Sequence, residues 1–345
     1  MIVEGRLAVI VDIHVHYVPS SFLALMQRTK SFDVQLEQVT GGSIPVHIRP
    51  LSYLLPLTFF DVERLKHRML EMRVDRAVLS LATPFINYNV PGALGREAAE
   101  LFNDEISALC KLAPGQFGAW AYLPMQDPQA AARELRRAIC DLGLTGGYLS
   151  SNVNGKYLDT EELTPIFSTA AELDAPLFVH PSNPPGRERM TKYELAVVAG
   201  YLLDTTLCIF HMIFGGLLDK FPNMRMCCAH LGGYAPLLQA RMQRELDTNR
   251  PLAEKLTRPL RDYFRQLYFD TICFDPYYAR SVVESDVVDP AHLVLGSDTP
   301  FPLGEPDPVS FVERSFASYT SGLADQILHQ NWQIFLSGCN VSIAC

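Results

Sequence analysis

Long apolar runs, clustered basic residues and paired cysteines are all scarce in this 345-residue chain, and each scarcity excludes something. No uninterrupted stretch reaches the roughly 18 apolar residues of a membrane span, so no membrane partner is expected. Basic residues never run five or more together, and the formal net charge of -9 opposes binding to nucleic-acid phosphates. The eight cysteines form no Cys-x-x-Cys pair and no short-spaced framework, and they read as reduced, buried thiols. The opening Met1 to Arg6 carries charge where a signal peptide needs an apolar core, and the apolar run behind it stops at Asp12. A cytoplasmic protein is the expectation. Repeats, low-complexity tracts and linkers are also missing. Acidity itself says little about the substrate, because a local pair of arginines can receive an anion inside an acidic protein.

What is present is an alternation. Short apolar runs that read as strands occupy 7–13, 76–81, 117–123, 146–149, 176–179, 225–229, 267–272 and 292–296. Helical spacing fills 59–73, 95–112, 127–142, 161–173, 191–220, 231–246, 276–286 and 307–337, several opened by signals such as Asp127-Pro128. Eight strands alternating with eight helices predict an α/β fold, the (β/α)8 TIM barrel, as a single domain over 1–338 with a tail at 339–345. Residues 20–58 form a long insertion after strand one, with Gly41-Gly42, Pro45, Pro50 and Pro56. Loops at that end of a barrel build the active site, so the insertion reads as a substrate cover.

Within this frame Val11-Asp12-Ile13-His14-Val15-His16 becomes informative. Side chains alternate along a strand, so His14 and His16 share one face with backbones roughly 6–7 Å apart, a spacing that suits one metal ion. Asp12 is read as pointing away from them. His180 ends strand five, His230 ends strand six and Asp298 follows strand eight. Five metal-competent or titratable groups at the carboxyl ends of barrel strands make the pattern of a catalytic metal centre. Neutral imidazoles with one carboxylate suit zinc, with manganese possible, and leave a position open. His14, His16, His180 and Asp298 are assigned as ligands. His230 is kept off the metal as general acid/base. The alternative, His230 as ligand and Asp298 as proton carrier, stays open.

The ordered motifs Asp-Ile-His-x-His, His-Pro, Ala-His-x-Gly-Gly and the segment Gly296 to Glu305 (Gly-Ser-Asp-Thr-Pro-Phe-Pro-Leu-Gly-Glu) resemble those of the amidohydrolase superfamily, and more narrowly the aminocarboxymuconate-semialdehyde decarboxylase family. The likeness spans about 8–338. It implies one divalent ion held by the matching histidines and aspartate, a proton handled by His230, and non-oxidative decarboxylation of a small unsaturated or aromatic carboxylic acid. It further implies that Arg49 and Arg241 bind substrate carboxylates, that Arg241 reaches the neighbouring site of a homodimer, and that Tyr193 and Phe301 line the pocket. Paired guanidinium forks are what a carboxylated ring or dicarboxylate would need. The chain departs from the resemblance at Ser182, Asn183 and Thr299, which are read as remodelling the pocket.

Two other functions are compatible with the same residues. One is a metal-dependent hydrolase of a cyclic amide, lactone or ester, with Asp298 or His230 activating water. The other is a metal-stabilised binding protein without catalysis, disfavoured because a structural site closes its coordination sphere and would not gather a free His230 with two anion-binding arginines.

Overall fold

Eight parallel strands stand side by side in chain order: β1 (Val11–Tyr17), β2 (Arg76–Leu81), β3 (Phe117–Tyr122), β4 (Gly146–Ser150), β5 (Leu177–His180), β6 (Met226–Cys228), β7 (Tyr268–Asp270) and β8 (Leu293–Val294). They are seen in a computed structural model that describes residues 2–3, 6–7, 9–48, 51–319 and 322–337. Past β8 the chain folds back on β1. Ile13 N–H donates to the Leu295 carbonyl, Asp298 N–H to the His14 carbonyl and His16 N–H to the Thr299 carbonyl. The sheet is thereby closed, and the expected (β/α)8 barrel is the observed one.

The first strand lies later than its apolar content predicts. Arg6–Leu7 pairs antiparallel with Ile2–Val3 as a separate ribbon, and β1 runs from Val11 through both histidines to Tyr17. His14 and His16 are therefore inside the strand. A bulge interrupts its ladder with β2: Asp12 pairs with Ala77 but Val15 pairs with Leu79, so β1 carries one extra residue. The bulge resets the alternation. Val11 and Ile13 enter the barrel core with Val78, Trp120 and Phe178, while Val15 packs in the outer layer with Leu79 and Leu81. Strict alternation would have put Asp12 on the histidines' face. Instead its carboxylate accepts the backbone N–H groups of His14 at 3.0 Å and Ser297 at 3.2 Å, which fastens the start of β1 to the segment after β8.

Several helices carry their start signals as read. Asp61, Asp127, Asp275 and Asp307 each accept N–H bonds from the first turn of the helix they precede, and three of them are followed by proline. Long predicted helices are broken where glycine takes a left-handed conformation. Gly216 (φ 76°) separates Tyr201–Phe214 from Leu217–Lys220, and Gly322 (φ 69°) stands before Leu323–His329, so 307–337 is three helices. Two short helices, Arg250–Ala253 and Leu260–Gln266, were not anticipated. Against expectation, the continuous helical stretch Ala196–Phe214 is long and apolar enough to cross a membrane by length and composition. It belongs to the barrel's outer layer, where its buried Asp204 binds Asn152, Tyr157 and the Ser182 N–H. Cysteines 208, 227 and 228 are buried thiols, but Cys140 is exposed; Cys339 and Cys345 fall outside the described residues.

Among its described residues the insertion forms helix Ser20–Arg28, then an antiparallel sheet of Val34–Leu36, Ser43–Ile48 and Leu51–Pro56. Gly41 and Gly42, both at positive φ, make the turn between its first two strands.

Below the histidines the barrel is filled with aromatic rings. Trp120 stacks on Phe178 at 5.6 Å between ring centres, and its indole N–H donates to the Ile13 carbonyl inside the bulge at 2.8 Å. Replacing Trp120 by Phe keeps one aromatic ring but removes the pyrrole portion of the buried indole, and with it the bulge's donor. Chemical denaturation should show a loss of about 1–3 kcal/mol, with weaker metal retention because the same bulge sets the histidines.

Candidate metal centre

At the carboxyl rim the structure brings together all five residues singled out from the sequence. His14, His16 and His180 are buried, and each is held through Nδ1. His14 Nδ1 lies 2.7 Å from Asp270 Oδ2. His16 Nδ1 lies 3.0 Å from the Ser80 hydroxyl, whose own proton goes to the Val15 carbonyl, leaving the oxygen to accept. His180 Nδ1 donates to the Pro181 carbonyl at 2.8 Å, with Thr83 Oγ1 at 3.0 Å. With Nδ1 as the donor, each ring presents an Nε2 lone pair to the centre.

Those lone pairs converge. His14 Nε2 and His16 Nε2 are 3.1 Å apart, and Asp298 Oδ1 is 3.2 Å from the first and 2.9 Å from the second. His230 Nε2 lies 3.6 Å from Asp298 Oδ2. Donor atoms of His14, His180, His230 and Asp298 all lie within 4.8 Å of one another. His180 Nε2 is buried without a hydrogen-bond partner, which is costly unless something binds there. Inward lone pairs, an orphaned buried nitrogen and a carboxylate fit one divalent cation. His16 and His230 both reach Asp298, the first at Oδ1 and the second, more loosely, at Oδ2.

The charges agree with that fit. Burial would raise the Asp298 carboxyl, but hydrogen bonds from His14, His16 and His230 outweigh it and hold the group well below the usual carboxylate range. Burial and the neighbouring histidines push His180 well below the ordinary imidazole value, and burial lowers His16. Both shifts favour the neutral imidazole that a metal ligand must present. His14 is opposite in sense. Burial disfavours its charge, yet Asp270 and Asp298 overcome this and raise it to about 10, so without a metal the positive charge of the centre sits on His14.

The proton-handling candidate has a special backbone. His230 (φ 57°), Leu231 (φ 49°) and Asp298 (φ 61°) are non-glycine residues in the left-handed region, a conformation that persists where the surroundings enforce it. Asp270 Oδ1 enforces it at Leu231 by accepting that N–H at 2.9 Å. Gly233 is required next, since a Cβ there would lie 2.2 Å from the Leu202 carbonyl oxygen. Asp270 thus orients His14 with one oxygen and shapes the turn after His230 with the other. The sequence reading missed it, although an aspartate ending strand seven was a visible signal.

A cavity of about 750 Å³ opens above the centre, with His180, His230 and Asp298 at its floor. Phe301 lines it and packs edge-on against His16 at 5.0 Å. Tyr193 does not reach it. Left-handed φ at Tyr193 and Glu194 turns that ring outward, where it is 84 % exposed, and Tyr53, Tyr201, Tyr234 and Tyr278 line the wall instead. Arg241 is exposed on helix Ala235–Thr248 and does not line the cavity either. Arg49 lies outside the described residues. Arg187, unanticipated, faces Tyr53; burial raises that phenol and the guanidinium opposes the rise. Ser182, Asn183 and Thr299 do not line the cavity, contrary to their expected role. Thr299 instead turns its hydroxyl to Met72 Sδ, and Ser182 gives its N–H to Asp204.

Residues 11–331 match the amidohydrolase family. The chain belongs to that family. It is 34 % identical over 265 residues, 76 % of this chain and 73 % of the relative, to 2-amino-3-carboxymuconate-6-semialdehyde decarboxylase of Dictyostelium discoideum. It is 27 % identical over 255 residues to γ-resorcylate decarboxylase of Rhodococcus jostii, covering 66 % of this chain and 77 % of that one. The resemblance drawn from the motifs is borne out. Among solved structures, 5-carboxyvanillate decarboxylase of Novosphingobium aromaticivorans, with bound manganese and a nitrobenzoic acid, superposes with a TM-score of 0.78 at 18 % identity over 95 % of this chain and 97 % of its own.

Two outcomes follow from the role of Asp270. Asp270→Asn should weaken metal affinity by about 10- to 100-fold, read by chelator competition. In metal-free protein a raised His14 contributes stability that is complete below its unfolded value of 6.5 and is lost as pH climbs toward 10. The melting temperature of chelator-treated protein should fall over that window, and Asp270→Asn should flatten the fall.

Proposed function

We propose that this family member is a non-oxidative decarboxylase of an unsaturated or aromatic carboxylic acid, dependent on one divalent ion, with zinc favoured and manganese the alternative. The observation that carries the reading is one-sidedness: the donor cluster is walled in by protein on the Nδ1 side and faces a ligand-sized cavity on the other. A purely structural site closes its sphere. Decarboxylase relatives on matching sequence select carbon dioxide loss over hydrolysis among the reactions such a site can serve.

His14, His16, His180 and Asp298 hold the ion in this proposal, and His230 moves the proton. The three buried rings are locked through Nδ1, whereas His230 lines the cavity and has Nδ1 buried without a partner, so it is the histidine least committed to the core. When bound, the divalent ion supplies positive charge that stabilises the negative charge building up before the carboxyl group leaves. His230 Nε2 delivers a proton to the carbon that loses carbon dioxide; the electrons of the broken carbon–carbon bond end in the new carbon–hydrogen bond. Asp298 Oδ2 keeps the imidazole turned toward the floor. Phe301 seats the substrate's unsaturated face and keeps water out. We assign the substrate's anionic groups to Arg49 and, across a homodimer, to Arg241. Exposed Arg241 forms no ion pair among the described residues and stands one turn beyond cavity-lining Leu237.

A panel of aromatic and muconate-type acids incubated in deuterated water should release carbon dioxide with one deuterium at the vacated carbon. Incorporation of water without gas would instead identify a hydrolase. His230→Asn should cut turnover by about 10²- to 10⁴-fold with metal content unchanged. A near-normal rate would remove His230 from the reaction.

A further inference from the structure

The cavity is far larger and more apolar than a small ring acid needs. At the roughly 30 Å³ that a water-sized unit takes in a liquid, an acid of about ten non-hydrogen atoms fills no more than about 300 Å³. More than half of the 750 Å³ is left over. His180, His230 and Asp298 form the floor at one end, and Thr83, Glu194 and the tyrosines add polar atoms to a lining that is otherwise apolar. Between the tyrosines the walls carry the apolar side chains Leu55, Val197, Leu202 and Ile272.

The apolar lining continues to the mouth. Leu54, Val198, Leu237, Phe274 and Leu303 line the same cavity, yet each is between 48 % and 65 % exposed. They come from five separate places: the insertion sheet, the start of the helical stretch Ala196–Phe214, helix Ala235–Thr248, and the loops after β7 and β8. Single exposed apolar side chains are ordinary on a protein surface. Five converging on one opening, continuous with a buried apolar wall, make a chamber suited to burying a hydrocarbon group.

We propose that the substrate is an acid whose ring or unsaturated core carries, away from the reacting carboxyl group, an alkyl or aryl substituent of several carbons, and that this chamber receives it. The proposal rests on the decarboxylase reading for the reaction at the floor. The chamber adds binding that is the same in substrate and transition state, so it lowers KM and leaves kcat nearly constant. The residues that set it come from the insertion and from helices and loops at the barrel's carboxyl face, the face at which barrels vary specificity while keeping the metal chemistry.

The test is a homologous series of hydroxylated benzoic acids bearing methyl, propyl, pentyl and heptyl chains, assayed with the metal-loaded protein for carbon dioxide. The expected result is kcat/KM rising about fourfold per buried methylene, or ~0.8 kcal/mol each, carried by KM. Leu237→Asp and Val198→Asp should cost the pentyl acid far more than the methyl acid without altering the melting temperature. Carbon dioxide from the methyl acid with no gain along the series overturns the chamber and leaves the decarboxylase reading standing. No gas from any member overturns both. A change of oligomeric state with equal loss for all acids would make the rim a subunit contact and overturn the proposal.

Discussion

Closure of the last strand onto the first is the constraint on which the rest of this protein depends. Three backbone bonds between the segment after β8 and β1, with the Asp12 carboxylate bridging the same two segments, place Asp298 beside His14 and His16 from opposite ends of the chain. Neither half of the centre is useful alone. The Nε2 atoms of the two histidines lie only 3.1 Å apart, and Asp298 brings the negative charge that lets a divalent cation replace the proton between them. Barrel closure and metal affinity are therefore coupled: what loosens the 12–16 and 295–299 pairing also removes the ligand geometry.

Around that closure the barrel is graded from dry to wet. Trp120 and Phe178 fill its interior, and Phe178 packs edge-on against His14 at 4.8 Å between ring centres. Above this floor come the histidines, then the cavity, then the apolar rim. Asp270 spans two levels, orienting a histidine below and bracing the turn after His230 above. The gradient explains how one rigid scaffold serves both tasks: the lower layers hold charge where water cannot screen it, while the loops supply the shape a substrate meets.

Much of this was legible in the chain. Strand and helix alternation gave the barrel, because parallel barrel strands are short apolar runs and their helices carry Asp and Pro start signals. His14, His16, His180, His230 and Asp298 were legible because chemistry at a barrel's carboxyl rim puts reactive residues just where apolar runs end. The bulge in β1 was not. It depends on pairing with β2 and on Trp120 from β3, so the reason Asp12 leaves the site is tertiary, and periodicity alone misleads about it. Tyr193 was misplaced for a similar reason, since left-handed backbone at two consecutive non-glycine residues has no sequence signature. Asp270 was overlooked because it touches a ligand rather than serving as one. The cavity wall, drawn from elements distant in sequence, could only be seen once folded.

Metal stoichiometry tests the central claim most directly. Elemental analysis of purified protein, reconstituted and freed of excess ion, should find one divalent ion per chain in the wild type and a severe loss in His14→Ala, His180→Ala and Asp298→Ala alike. Two ions per chain, or a full complement retained after removal of any of these three side chains, would contradict the account.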